Sequence, residues 1–192
     1  MSDLKAYGQC GRMCEMAKWI VDSDHSVAAF SILHMMIAHV RGQFNKIAGV
    51  IYFDPQNISG SSVEFTIDVS SLVTGIQKRD DHLRSPDFFD VNTYSDISFK
   101  SVRIDSVEGS RAKVTGDLTL HGVTRRITVA TEFSGPVKDP FGDGLSMGFT
   151  ASAVINREDY GMEWNQPMAD KGIMLGREVQ LVIDLEADLA SE

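Results

Sequence analysis

From Trp19 onward the chain alternates between apolar and polar positions. In Val63-Glu64-Phe65-Thr66-Ile67-Asp68-Val69-Ser70 every odd residue is apolar and every even one polar, the period of an antiparallel strand with one face on a core and the other in water. Comparable runs, rich in β-branched and aromatic residues, occupy about 19–34, 40–54, 61–71, 94–107, 110–120, 123–137, 145–157 and 176–188, which predicts eight strands. Turn chemistry separates most of them. Asp54-Pro55-Gln56-Asn57 with Ser59-Gly60, Glu108-Gly109-Ser110, His121-Gly122 and Asp139-Pro140-Phe141-Gly142-Asp143-Gly144 leave connections of hairpin length. Eight sequential antiparallel strands leave two raw edges unless the sheet closes. An all-β, up-and-down antiparallel barrel is therefore expected over a sandwich.

Two stretches break the period. Ser71 to Val91 places Ile76, Arg79, Asp80 and Leu83 at helical spacing behind a helix start at Thr74, then Pro86 and Phe88-Phe89, and predicts one or two short helices. Tyr160 to Gly176, with Gly161, Trp164, Pro167 and Gly172, has neither period and reads as an ordered loop capping one end of the barrel. A barrel of this size is either filled by its side chains or just wide enough for one small ligand. Alternation places Phe30, Ile32, Phe65, Ile67, Val69, Phe99 and Phe149 inside, since a slip of one residue would expose the whole set. Ser26, Ala28, Phe30, Ile32 and His34 share the inner face of the first strand. Small residues such as Ala28 and Ala151 either leave room for a ligand or fit the taper of a solid core.

Composition narrows the class. The 192 residues, 43% of them hydrophobic, make one domain that buries roughly 70% of its unfolded surface and needs no staple. It spans 17–192, behind a polar extension of residues 1–16. With 18 Lys+Arg against 27 Asp+Glu and a net charge of −9, nucleic acid is excluded as an expected partner. Cys10 and Cys14 are too close together to frame the domain and suit a reducing cytosol. Met1 to Lys18 has no apolar run of a secretory signal. Val27 to Val40 is interrupted by Ser31, His34 and His39 and falls short of the roughly 20 residues that span a bilayer. A cytoplasmic protein without a transmembrane segment is expected, and a homodimer is compatible with these features.

The candidate chemistry is sparse. His25, His34, His39, His82 and His121 form no HxH, HxxxH or HExxH pair, so no metal site is expected and each ring should bond locally, His25 to its neighbour Asp24. There is no GxSxG turn. Ser26 and His25 face opposite sides of a strand, and Asp80 and His82 are wrongly spaced to cooperate on a helix. No catalytic residue and no required cofactor are expected. Gly142-Asp143-Gly144 precedes a strand rather than a helix, so no phosphate loop is read there. Arg79-Asp80 and Arg157 lie beside aromatic clusters and either fix a loop to the barrel or contact a ligand at its mouth. Trp164 and Phe88-Phe89 either line that mouth or seal the core.

Ordered blocks along the chain carry a family resemblance. They are Trp19-Ile20-Val21-Asp22, His25-Ser26-Val27 with Phe30 and His34, Val40-Arg41-Gly42-Gln43-Phe44, Arg79-Asp80-Asp81-His82-Leu83 with Phe88-Phe89-Asp90, and Ile97-Ser98-Phe99-Lys100-Ser101. Gly116 to Thr124, Ile155-Asn156-Arg157 with Tyr160-Gly161, and Gly176-Arg177-Glu178-Val179 complete them. Over Trp19 to Ala187 the chain resembles the YceI-like family, a lipocalin-like group associated with binding isoprenoid quinones and other long-chain amphiphiles. The resemblance implies an eight-stranded lipocalin-like barrel with short helices at one end, housing a polyprenyl or acyl chain. The ligand-lining set is then Ala28, Phe30, Ile32, His34, Phe65, Ile67, Val69, Phe99, Phe149, Ala151 and Trp164, with Arg79, Asp80 and Arg157 as polar mouth contacts. The implied function is non-catalytic binding of that hydrophobic ligand for carriage, storage or sensing. The competing reading is a histidine-dependent enzyme or metal protein, using His25, His34 or His121 on an isoprenoid or lipid substrate.

Overall fold

The structure is a computed structural model that describes residues 16–54, 56–106, 108–140, 142–168 and 172–190. Cys10, Cys14 and nearly all of the expected N-terminal extension lie outside the described residues. Ten strands run in chain order: β1 (Ala17–His34), β2 (Ala38–Phe44), β3 (Ile47–Phe53), β4 (Ser62–Asp68), β5 (Leu72–Val73), β6 (Asp96–Ser106), β7 (Arg111–Leu120), β8 (Val123–Lys138), β9 (Leu145–Asn156) and β10 (Leu175–Leu189). All pairings are antiparallel, in the order β10-β9-β8-β7-β6-β4-β3-β1-β2-β5, and β10 also pairs with β1. That last pairing closes an eight-position barrel and leaves no raw edge along its wall. β2 and β5 extend the sheet at one end.

The expected strand over 40–54 is split in two, and the one over 61–71 stops at Asp68. Both breaks come from one corner. Ser71 Oγ accepts the backbone N–H groups of Asn45 (3.1 Å) and Lys46 (3.2 Å) and donates to Asp68 O (2.6 Å), so a hydroxyl replaces the ladder where the sheet must bend. The long β1 can then pair with β3 along its first half and with β2 along its second. Among the described residues one α-helix forms, α1 (Gln77–Arg84), starting three residues later than expected. Thr74 is held back because its N–H and its hydroxyl both donate to Asp80 Oδ1, which keeps the approach to the helix extended.

Alternation is kept on β4, where Phe65 and Ile67 are buried and Glu64 and Thr66 exposed. The stacked rings of Phe65 and Phe99, 5.5 Å apart, fit because Gly49 and Gly116 stand behind them. A Cβ at either glycine would collide with these phenylalanines. The barrel has two unlike ends. The upper one, where β1 stops and β10 starts, carries α1, the turns of residues 85–95, a 3-10 turn (Arg157–Tyr160) and the loop after it. The lower one, where β3 stops and β4 starts, carries the 3-10 turn Ile58–Gly60 and the turns joining β6 to β7 and β8 to β9, and no α-helix among the described residues.

β1 is bulged midway. Asp22 pairs with Glu186 and Val27 with Asp184, so residues 23–26 stand against Leu185 alone. Ser26 Oγ bridges the gap, accepting from Glu186 N (3.1 Å) and donating to Glu186 O (3.4 Å). The bulge turns His25 back toward Asp22 (Nδ1 to Oδ2, 2.6 Å) rather than toward the expected Asp24, whose own N–H donates to Asp22 Oδ1.

Candidate functional site

Inside the lower half of the barrel is a cavity of about 70 Å³ whose exposed lining is entirely apolar. Phe65, Phe99, Ile104, Val114, Val129 and Ile183 wall it, with Ala112 and Ala151 supplying the free width. Two lining residues carry hydroxyls. Ser61 Oγ accepts the N–H of Asp54 (3.1 Å), whereas the buried Oγ1 of Thr131 has no hydrogen-bond partner. Toward the lower end the cavity is closed by Phe53, Phe133 and Phe149, with ring centroids 5.0 and 5.8 Å from that of Phe53. Ile58 of the lower turn also lines it. Phe133 and Phe149 are only half-buried, so these rings form the thin part of the wall.

Four residues of the expected ligand set meet at this cavity: Phe65, Phe99, Phe149 and Ala151. Ala28, Ile67 and Val69 are buried in the core away from it. Phe30 packs on Phe44 and Phe89 at 5.8 and 6.4 Å. Ile32 and His34 are half-buried at the upper end of β1 and lie outside the core cluster. Trp164 belongs to the upper cap, its ring 4.9 Å from His82 and 5.2 Å from Phe88. The further lining residues Ala112, Val114, Val129 and Phe133 escaped sequence reasoning, although the same alternation on β7 and β8 marks them.

The expected mouth contacts all sit at the upper end, away from the cavity. Asp80, 5% exposed, holds Thr74, and Arg79 donates to Thr74 Oγ1 (2.7 Å) and Thr74 O (2.8 Å). Arg157, 3% exposed, donates from Nε to Gly176 O (2.9 Å) and from Nη1 to Met162 O, and its Nη2 has no partner among the described residues. Burial pushes the Arg157 guanidinium below its ordinary pKa, with Glu158 opposing the shift. The neighbouring Tyr160 hydroxyl is also buried without a partner, and burial raises its pKa.

The histidines are dispersed. His82 reaches Asp87 (2.8 Å), His121 Nδ1 meets Tyr160 O (3.0 Å), and His39 meets Ser31 Oγ (3.1 Å). The exposed Ser31–His39 pair has no carboxylate bonded to the imidazole among the described residues, so nothing orients it as a base. Among the described residues no helix is long and apolar enough to cross a membrane.

A closed, eight-position antiparallel barrel with an apolar interior and a helix over one end defines a lipocalin-like fold. Residues 19–187 match the YceI-like domain, and the chain belongs to the YceI-like family. A UPF0312 protein of Vibrio cholerae is 36% identical over 149 residues, covering 77% of this chain and 78% of that protein. A UPF0312 protein of Staphylococcus aureus is 33% identical over 175 residues, covering 91% and 99%. Among solved structures, BcnA of Burkholderia cenocepacia superposes with a TM-score of 0.76 at 25% identity, over 86% of this chain and 98% of its own. A polyisoprenoid binding domain from Saccharophagus degradans superposes with a TM-score of 0.68 at 19% identity, over 91% and 99%, a likeness of fold alone.

Proposed function

We propose that the protein binds a long apolar chain, isoprenoid or fatty-acyl, inside the barrel without covalent chemistry. The observation that carries this reading is the apolar cavity in the lower half of the barrel, bordered by a thin aromatic wall. At about 70 Å³ it is smaller than the ~150 Å³ void that admits a benzene, so it is the closed form of the site. Swinging Phe133 and Phe149 outward extends it through the lower end. Each methylene then buried contributes roughly 0.8 kcal/mol, enough for tight binding without a charged anchor, and Thr131 Oγ1 offers one hydrogen bond to a polar group. The Saccharophagus degradans domain, described as polyisoprenoid binding, has the same barrel, which fits this use of the fold. Isoprenoid quinones, polyprenyl chains and acyl chains all meet the requirement.

Organic extraction of freshly purified protein followed by mass spectrometry tests the reading, and the mass identifies the class of chain. A co-purifying lipid is expected in the wild type. It should be absent from Ala151→Leu, which fills the cavity, while that variant keeps the wild-type circular dichroism. A wild type that carries no lipid and takes up none from mixed vesicles overturns the proposal.

A further inference from the structure

The bulge of β1 assembles a second site on the outside of the barrel. It sets Asp22 and His25 opposite Glu186 of β10, and the ligand atoms of these three side chains all lie within 4.8 Å of one another. Ligands about 2.1 Å from one ion stand about 3 Å apart when adjacent and at most about 4.2 Å when opposite, so side-chain rotations of about an ångström or more, which open the 2.6 Å Asp22–His25 hydrogen bond, gather the set around a cation. The trio is held in place by backbone. Asp22 is fixed through Oδ1 by the N–H of Asp24 (2.9 Å), and the Glu186 backbone is gripped on both sides by Ser26 Oγ. No donor reaches the Glu186 carboxylate among the described residues.

The surroundings carry the same sign. His25 and Glu186 line an open hollow of about 400 Å³ that also presents Glu132 and Asp184, and no lysine or arginine lines it. Asp184 is engaged by Thr150 Oγ1 (2.8 Å), which leaves the trio as the convergent group. Two carboxylates and one imidazole form a mixed oxygen–nitrogen donor set, and such donors suit divalent first-row ions. We propose that Asp22, His25 and Glu186 form a divalent-cation site on the β1–β10 seam. A bound ion ties the two strands together where their ladder is interrupted. Histidine spacing had predicted no metal site because only one of the three ligands is a histidine and the third comes from the far end of the chain.

Co²⁺ is the probe, added to the full-length chain carrying Cys10→Ser and Cys14→Ser so that no thiolate competes. Paramagnetic broadening of backbone amides should centre on residues 22–26 and 184–188, and Co²⁺ should raise the melting temperature. Glu186→Gln keeps the Asp22–His25 contact and should weaken Co²⁺ binding by at least about tenfold, the loss that even an outer-shell partner of a metal ligand typically causes. Its melting temperature without Co²⁺ should match the parent. His25→Ala, at a ring 66% exposed, gives the same readout should Glu186→Gln fail to fold. Broadening centred elsewhere, or unchanged Co²⁺ affinity in these variants, overturns the proposal and leaves the trio as an ion pair pinning the bulge.

Discussion

At the upper end of the barrel, Asp80 holds Thr74, Arg84 donates to the carbonyls of Leu72 and Ser70, Arg157 reaches Gly176 O and Met162 O, and Asn165 bonds Leu175 through both its N–H and its carbonyl. At the lower end, the rings of Phe53, Phe133 and Phe149 meet beside Ile58, and the hydrogen bonds around them belong mainly to turns: Ser61 Oγ accepts Asp54 N, Phe133 N donates to Ser110 O and Asp139 N to Gly144 O. Hydrogen bonds are directional and specify one geometry, whereas apolar contacts are non-directional and tolerate rearrangement. From the sequence, Arg79-Asp80 and Arg157 either fix a loop to the barrel or touch a ligand at its mouth. In the structure Asp80 and Arg79 bond Thr74 and Arg157 bonds backbone carbonyls, and the proposed route for a ligand lies at the opposite, aromatic end.

The largest expected effect breaks the sealed end. Leu72 is 1% exposed, and Leu72→Ala should cost roughly 2–5 kcal/mol in urea unfolding, as truncations at fully buried positions do. Phe133→Ala removes a larger side chain from a half-buried position beside a void, and should cost less than half as much. Equal losses would mean that the two ends are packed alike.

A smaller effect concerns the polar groups of the cap. Tyr160 is 2% exposed and its hydroxyl has no partner, so Tyr160→Phe removes an unpaired buried group that costs on the order of 1–3 kcal/mol to desolvate. The variant should unfold at the same or a higher urea concentration than wild type. A clear loss would show that this hydroxyl is bonded in solution, and the upper cap would then owe still more to polar contacts.

Amide hydrogen exchange separates the ends without mutation. Local opening free energies vary across a fold, and the amides of β7 and β9 near Leu118 and Ile155 should exchange more slowly than those of β8 and β9 near Phe133 and Phe149. Slower exchange around Phe133 than around Leu118 would reverse the comparison.

How far the sequence reveals this arrangement depends on the kind of constraint. Alternation with a period of two located the strands and put Phe65, Ile67 and Phe99 inside, because any slip exposes a whole face. The corner at Asn45-Lys46 and the bulge at residues 23–26 were not legible. They are set by Ser71 and Ser26 bonding backbone from segments distant in sequence, and nothing in the local pattern names those partners, although alternation did place Ser26 on the inner face. The cavity was legible only as room to spare at Ala151, and charge and aromatic clusters in the loops do not tell an opening end from a sealed one, so Arg79, Asp80 and Arg157 could be read either way.

The smallest expected effect is a pH dependence of the sealed end. Asp68 accepts the N–H of Ser70 (2.8 Å) at the start of the 3-10 turn leading to Leu72 and lies 3.5 Å from Lys46 Nζ. The Ser70 hydrogen bonds, more than Lys46, hold its carboxyl below the ordinary carboxylate pKa, against the opposing cost of burial. A depressed folded-state pKa means that the unfolded chain binds the proton more readily. The contribution is therefore complete above the unfolded value, about 3.9, and disappears as the pH falls through the folded one. The Asp68 side chain is 38% exposed, so solvent screens most of the effect. Wild type should exceed Asp68→Asn in urea midpoint at neutral pH, and the gap should close as the pH falls from about 4 through the lower folded value, beneath which both side chains are neutral. A gap that persists there would assign the stabilisation to the shape of the side chain rather than to its charge, and one that appears near Phe133 instead would show that the corner is coupled to the lower end.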